Sequence, residues 1–260
     1  MAAKGYGYPN RDKVKKANPK TSTPDYFKKE DTAEGFEDIT TQTMAIPFVR
    51  ILQTLSPQLN KKKPEYVPGA QEGMFFNTVT KEIYGPKIDV IVLKFDRIFI
   101  EWLPERGGLV NYHSPEHAEK IAENKEVFGG WKTASGNFLQ ENYVYFILLN
   151  DKMEEGISIL SLASTGIKIA REWNRLMTTH IMENGRRALP YYLVWTLETE
   201  YRENDKGNWY TFKVRTKNYI TKTQYEKVGT EKKMLPLRQV DYAQLASSED
   251  SEKIEEDTPF

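Results

Sequence analysis

The sequence predicts a mainly β domain with one principal helix, a β+α chain, set between two polar ends of opposite charge. Three observations carry this. From residue 44 onward, short apolar and aromatic runs are bounded by Gly, Pro, Asn and Asp, the pattern of strands and turns. Only Thr165 to Glu183 repeats apolar residues at helical spacing. The two ends carry no periodic apolar face and read as disordered.

The elements follow in order. Met44 to Leu55 is strand-like, with Pro47 marking an edge or an entry position. Lys61-Lys62-Lys63-Pro64 and Pro68-Gly69 form a basic loop. Gly73 to Val79 and Glu82 to Tyr84 read as a short hairpin. Ile88 to Leu103 is the longest strand, apolar on both faces at first and mixed later, which suits a long, bent strand. Residues 104–142 are a long excursion with a short helix expected at Pro115 to Lys125. Tyr143 to Leu149 and Ile157 to Ala163 are strands joined by a polar turn. The helix follows, with Ile167, Ala170, Trp173, Asn174, Met177 and Ile181 at its spacing. Ser164 or Thr165 is its N-cap and Asn184-Gly185 its stop. Tyr191 to Tyr201 and Trp209 to Lys217 form a hairpin, and residues 221–246 close the domain as a helical or irregular segment.

Strand, excursion, strand, strand, helix, strand, strand is the order of an oligonucleotide-binding (OB) fold. The expectation is therefore a five-stranded OB-fold barrel with extra N-terminal strands near residues 44 and 74. The domains are a basic arm at 1–38, an OB-fold single-stranded DNA-binding domain at 39–240 and an acidic tail at 241–260.

Charge is arranged along the chain. Met1 to Lys29 holds eight basic residues against Asp12 and Asp25, and Asp241 to Phe260 holds seven acids against Lys253, while the whole chain sums to +0. The chain ends on Glu255, Glu256, Asp257, Thr258, Pro259 and Phe260. That ending resembles the C-terminal tip of bacterial single-stranded DNA-binding proteins, with Thr258 where the tip usually has Ile. Phage single-stranded DNA-binding proteins also carry acidic tails, often ending in Phe. The resemblance covers about six residues and implies that Glu255, Glu256, Asp257, Pro259 and Phe260 bind replication or recombination partners. Physically, an acidic tail competes with nucleic acid for a basic groove. A terminal Phe with a free carboxylate docks into an apolar pocket edged by Arg or Lys. The plain alternative is a solubilising terminus.

An OB barrel binds single strands across its second and third strands and its 1–2 and 4–5 loops, stacking bases on aromatics and meeting phosphates with Lys or Arg. The candidates in those places are Arg97, Trp102, Arg106, Tyr112, Trp131 and Lys132, then Tyr143, then Trp209, Lys213 and Arg215. Trp209, Lys213 and Arg215 share a parity and hence a face. An aromatic in a strand is usually core, and Trp102 and Trp209 read equally as core or contact. Tyr145, Trp173 and Trp195 read as core. Trp131, in a Gly-flanked loop beside Lys132, reads as a stacking residue.

Several classes are disfavoured. With Cys 0 there is no disulfide, thiolate metal site or Cys nucleophile. His113 and His117 are four apart, but Pro115 intervenes and the HExxH pattern is absent. No Walker motif and no Gly-x-Ser-x-Gly occurs. The expectation is no enzyme, no cofactor and no metal. There is no apolar run long enough for a membrane helix and no signal peptide, which points to the cytoplasm, or host cytoplasm for a viral chain. The expected function is a phage protein that coats single-stranded DNA in replication, recombination and repair. Two alternatives stand beside it: a strand-annealing recombination protein working as a homo-oligomer, and a structural or assembly protein without a nucleic-acid role.

Overall fold

A computed structural model describes residues 46–104, 107–125, 130–205 and 207–235 of the chain. The expected basic arm, the acidic tail and Arg106 lie outside the described residues.

Two long strands organise the domain. β4 (Lys87–Trp102) and β8 (Phe138–Leu149) pair antiparallel from Val90↔Leu149 to Trp102↔Phe138. Each outer edge of this ribbon is shared by two shorter strands. On β4, residues 87–91 pair with β10 (Leu193–Asn204) and residues 99–102 with β5 (Leu109–His113). On β8, residues 142–148 pair with β9 (Ile157–Ala163) and residues 138–140 with β7 (Gly130–Thr133). β11 (Gly207–Tyr219) extends the sheet beyond β10, and β6 (Ala122–Lys125) extends it beyond β7. The ribbon thus has a proximal half, with β9, β10 and β11, and a distal half, with β5, β6 and β7. A small separate sheet of β1 (Val49–Ile51), β2 (Phe75–Asn77) and β3 (Ile83–Gly85) includes the expected hairpin.

The proximal half is apolar on both faces, which is why Val90 to Leu93 reads as an unbroken apolar run. One face packs Val90, Tyr145, Ile147, Trp195 and Phe212 against α2 (Gly166–Thr179). The helix presents Ile167, Ala170, Trp173 and Met177, one stripe at helical spacing, and all four are buried. Trp173 stacks on Tyr145 at 4.5 Å and meets Trp195 edge-on at 6.3 Å. The other face packs Ile91, Val144, Phe146 and Val194 under Ile46, Phe48 and Val228. Val228 belongs to α3 (Lys222–Met234), which starts on a capping box between Thr221 and Gln224.

A register shift between Val92 and Lys94 divides the halves. Before it, Val90 and Val92 face α2; after it, Phe95 packs on that side while Ile98, Ile100 and Trp102 join the opposite core. A bulge of this kind swaps the parity of everything that follows.

The mainly β composition with a few helices is as expected, and so is the order of the five principal strands and α2. The closed barrel is not. Closing the ladder β11-β10-β4-β8-β9 would require its two ends, β9 and β11, to pair, and no such pairing exists among the described residues. α2 packs on one face of the sheet and touches β8, β9 and β11. The sheet is open and curls about a helix. The excursion also differs: residues 109–133 form β5, α1 (Pro115–Ile121), β6 and β7, and β8 begins at Phe138 rather than Tyr143. α1 carries its own cap, with the Ser114 side chain accepting from His117 N.

Candidate nucleic-acid interface

The nine described candidates for DNA contact divide between the two faces of the sheet. Arg97 and Tyr143 pair across strands on the α2-bearing face of the ribbon. Trp131 stacks on Phe99 of that face at 4.4 Å. Trp102 and Tyr112 belong to the opposite core. Lys132 follows Trp131 along β7 and therefore points away from it. On β11, Phe212 and Val214 face α2, which turns Trp209, Lys213 and Arg215 to the other side. A groove using the whole set would have to lie on both faces at once.

Two candidates lose the role expected of them. Trp102 is 2% exposed and donates its Nε1–H to Gln140 Oε1 at 3.0 Å, so its ring is core with no face left for a base. Tyr143 is buried as well, its ring edge-on to Phe95 at 5.3 Å. It is a support for the site rather than a stacking surface.

The cations of β11 are matched by acids on β10 and β4. Lys213 pairs with Glu200, which also takes Arg202; Arg215 reaches Glu198 at 2.7 Å; Lys217 reaches Asp89 at 2.5 Å. Burial pushes the Asp89 carboxyl up, but hydrogen bonds from Lys217 and Thr196 outweigh it and hold it below the usual carboxylate range. Counting cations along one strand missed these partners, because they stand across the ladder. Trp209 is half-buried opposite Arg202.

The distal half holds a denser constellation on the α2-bearing face. Its apolar centre is small: Phe99, Ala118 and Leu139, with Trp131 packed against them. Arg97 lies over the Phe99 ring at 5.1 Å and donates from Nε to Glu141 Oε1 at 2.5 Å. Arg171 of α2 approaches Glu141 Oε2 at 3.7 Å. Its guanidinium pKa is raised above its ordinary value, chiefly by a hydrogen bond to Tyr143, with Glu141 adding to it. Glu141 is buried, and a carboxylate taken out of water needs such partners. Next to it, buried Glu101 accepts from Asn137 Nδ2 at 2.7 Å and from His113 Nε2 at 2.6 Å. Burial pushes the Glu101 carboxyl up; the bonds from Asn137 and His113 outweigh it and hold it below its ordinary value. The His113 and His117 rings stack at 4.9 Å. This histidine pair serves a carboxylate, and no group of three or more metal-ligating side chains occurs among the described residues.

Sequence reasoning missed Glu141, Arg171, Glu101 and Phe99. Phe99 and Glu101 were within reach, since they share the parity of Arg97. Arg171 sits on the polar side of an amphipathic helix, and Glu141 in a stretch that reads as loop. What the arrangement can do is present a partly exposed indole on a rigid aromatic base. Arg171, with 66% of its side chain exposed, joins this cluster through Glu141, the buried carboxylate it shares with Arg97.

Fold and site together describe an open-sheet β protein with an aromatic and guanidinium cluster, and no curated protein and no solved structure matches the chain. The family model of Pam3 phage gp34-like proteins matches residues 14–235, and the chain belongs to that family. No helix among the described residues is long and apolar enough to cross a membrane.

Proposed function

We propose that the protein is a phage single-stranded DNA-binding protein without enzymatic activity. It coats exposed strands in the host cytoplasm during replication and recombination, with little sequence preference. Its acidic tail recruits replication partners through Phe260. Membership of a phage family supports the setting. The neighbour order β11-β10-β4-β8-β9 in an open sheet is compatible with this reading.

The observation that carries the reading is the partly buried Trp131 indole held on Phe99, with Arg97 over the same phenyl ring and Arg171 joined to Arg97 through Glu141. A base stacks on the indole without regard to its identity, and a phosphate meets the exposed guanidinium. The interface is therefore the distal half of the α2-bearing face, and the ion-paired ladder of β10 and β11 is not part of it.

The test is fluorescence anisotropy of a labelled single strand at low and high salt, with duplex as competitor, using the full chain and a chain lacking residues 247–260. Binding should prefer the single strand and weaken steeply with salt. Trp131→Ala should cost about 1–3 kcal/mol, as for one lost stacked base. Arg171→Ala should also lower the salt slope by about one phosphate contact. Lys132→Ala, on the opposite face, should change little. Tail removal should leave or strengthen DNA affinity and abolish capture of replication partners. No binding by either chain at low salt overturns the proposal.

A further inference from the structure

An aromatic pocket of about 270 Å³ lies away from the Trp131 cluster, where the end of β11 meets the start of α3. Tyr192, Tyr219 and Tyr225 line it with Ile220, Thr221 and Lys222. Tyr219 and Tyr225 are 48% and 52% exposed, unusual for rings that stand together. They are not loose. Tyr219 hydrogen-bonds His180 at 3.1 Å, and Tyr192 stands 6.2 Å from Tyr225 and 5.2 Å from Tyr191. The Lys232 ammonium lies 3.7 Å over the Tyr191 ring.

We infer that this pocket is a second contact for single-stranded DNA, taking one nucleobase against the tyrosine rings with its phosphate at Lys222. The inference rests on the DNA-binding reading above and adds a site to it. Three arguments select a nucleotide. The walls are aromatic, so they offer π-faces that accept any base. Among the described residues, the one charged side chain lining the pocket is the cation Lys222, which suits an anionic ligand. The placement is also right. Val194, two residues after Tyr192, pairs with Ile91, and Arg97 lies six residues further along β4, roughly 20 Å at about 3.3 Å per residue. A single strand of several nucleotides spans that distance, and site sizes of about 4–16 nucleotides are usual for such domains.

The experiment uses the full chain and an oligothymidine carrying a photoreactive iodouracil, with crosslinks mapped to residues, and anisotropy of the same strand with Tyr219→Ala, Tyr225→Ala and Tyr219→Phe. The expected result is a crosslink at Tyr219 or Tyr225 and a loss of roughly tenfold in affinity for each alanine variant. Tyr219→Phe, which keeps the ring and loses the bond to His180, should bind as the natural chain does. If the natural chain binds the strand, but neither tyrosine crosslinks and both alanine variants bind unchanged, the pocket inference is wrong and the DNA-binding reading stands. If the alanine variants lose self-association in sedimentation while keeping DNA affinity, the pocket is a subunit contact and the inference is overturned. If the natural chain binds no strand, the reading itself falls and the pocket proposal falls with it.

Discussion

The two halves of the β4–β8 ribbon are held by different forces. In the proximal half, Tyr145, Trp173, Trp195 and Phe212 fill the space between sheet and helix, and the charges stand outside as exposed pairs across β10 and β11. In the distal half the apolar centre shrinks to Phe99, Ala118 and Leu139, and two carboxylates, Glu101 and Glu141, are buried within the sheet. The first arrangement draws its stability from area removed from water. The second depends on each buried charge keeping its partners, which makes it more specific in geometry and easier to break. A surface that must present an arginine and an indole in fixed positions gains from the second kind of support.

The largest effect that would test this contrast is at Trp173. It is fully buried between Tyr145, Trp195 and Phe212, so Trp173→Ala should destabilise the protein by about 3–5 kcal/mol, read in thermal or denaturant unfolding. A loss below 1 kcal/mol would mean that the proximal core is not the main source of stability. The next effect belongs to Glu101. Its folded carboxyl lies below its unfolded value, so its contribution is complete above about pH 4–5, where the unfolded group is also ionised, and fades as pH falls through the folded value. Glu101→Gln should cost about 1.5–3 kcal/mol near neutrality, the usual worth of hydrogen bonds to a charged group. The gap between variant and natural chain should narrow as the solution is acidified. A gap that stays constant down to acid pH would exclude an ionised Glu101. The smallest effect is expected from Lys213→Ala with Arg215→Ala. Both are exposed ion pairs, so stability should change by about 0–1 kcal/mol and single-strand affinity by less than for Arg171→Ala. A larger loss of affinity here would move the interface to the proximal ladder.

The elements were legible where their signal is local. The helical stripe of Ile167, Ala170, Trp173 and Met177 marks α2, and the alternation through Ile157 to Ala163 marks β9 at the observed bounds. The excursion was legible only at α1. Phe138-Leu-Gln-Glu-Asn142 reads as a polar approach to a strand, yet it is the first part of β8. Its polar residues are buried because Trp102 donates to Gln140, Arg97 donates to Glu141 and Asn142 donates to Ser161. None of those partners is near in sequence. The candidate site shows the same limit. Trp131, expected in a Gly-flanked loop, lies instead on β7 and packs partly buried on Phe99, while Trp102, a strand aromatic, turned fully inward.

By itself the sequence determined the mainly β class, the order of the five principal strands, the place of the helix and the opposite charge of the two ends. These follow from periodicity and composition, which act over a few neighbouring residues. Only the tertiary structure decided that the sheet stays open, that a register shift divides β4, and which cations are neutralised by acids on the next strand. Those outcomes depend on what stands across a ladder, and residues adjacent across a ladder are set by pairing and packing rather than by position along the chain.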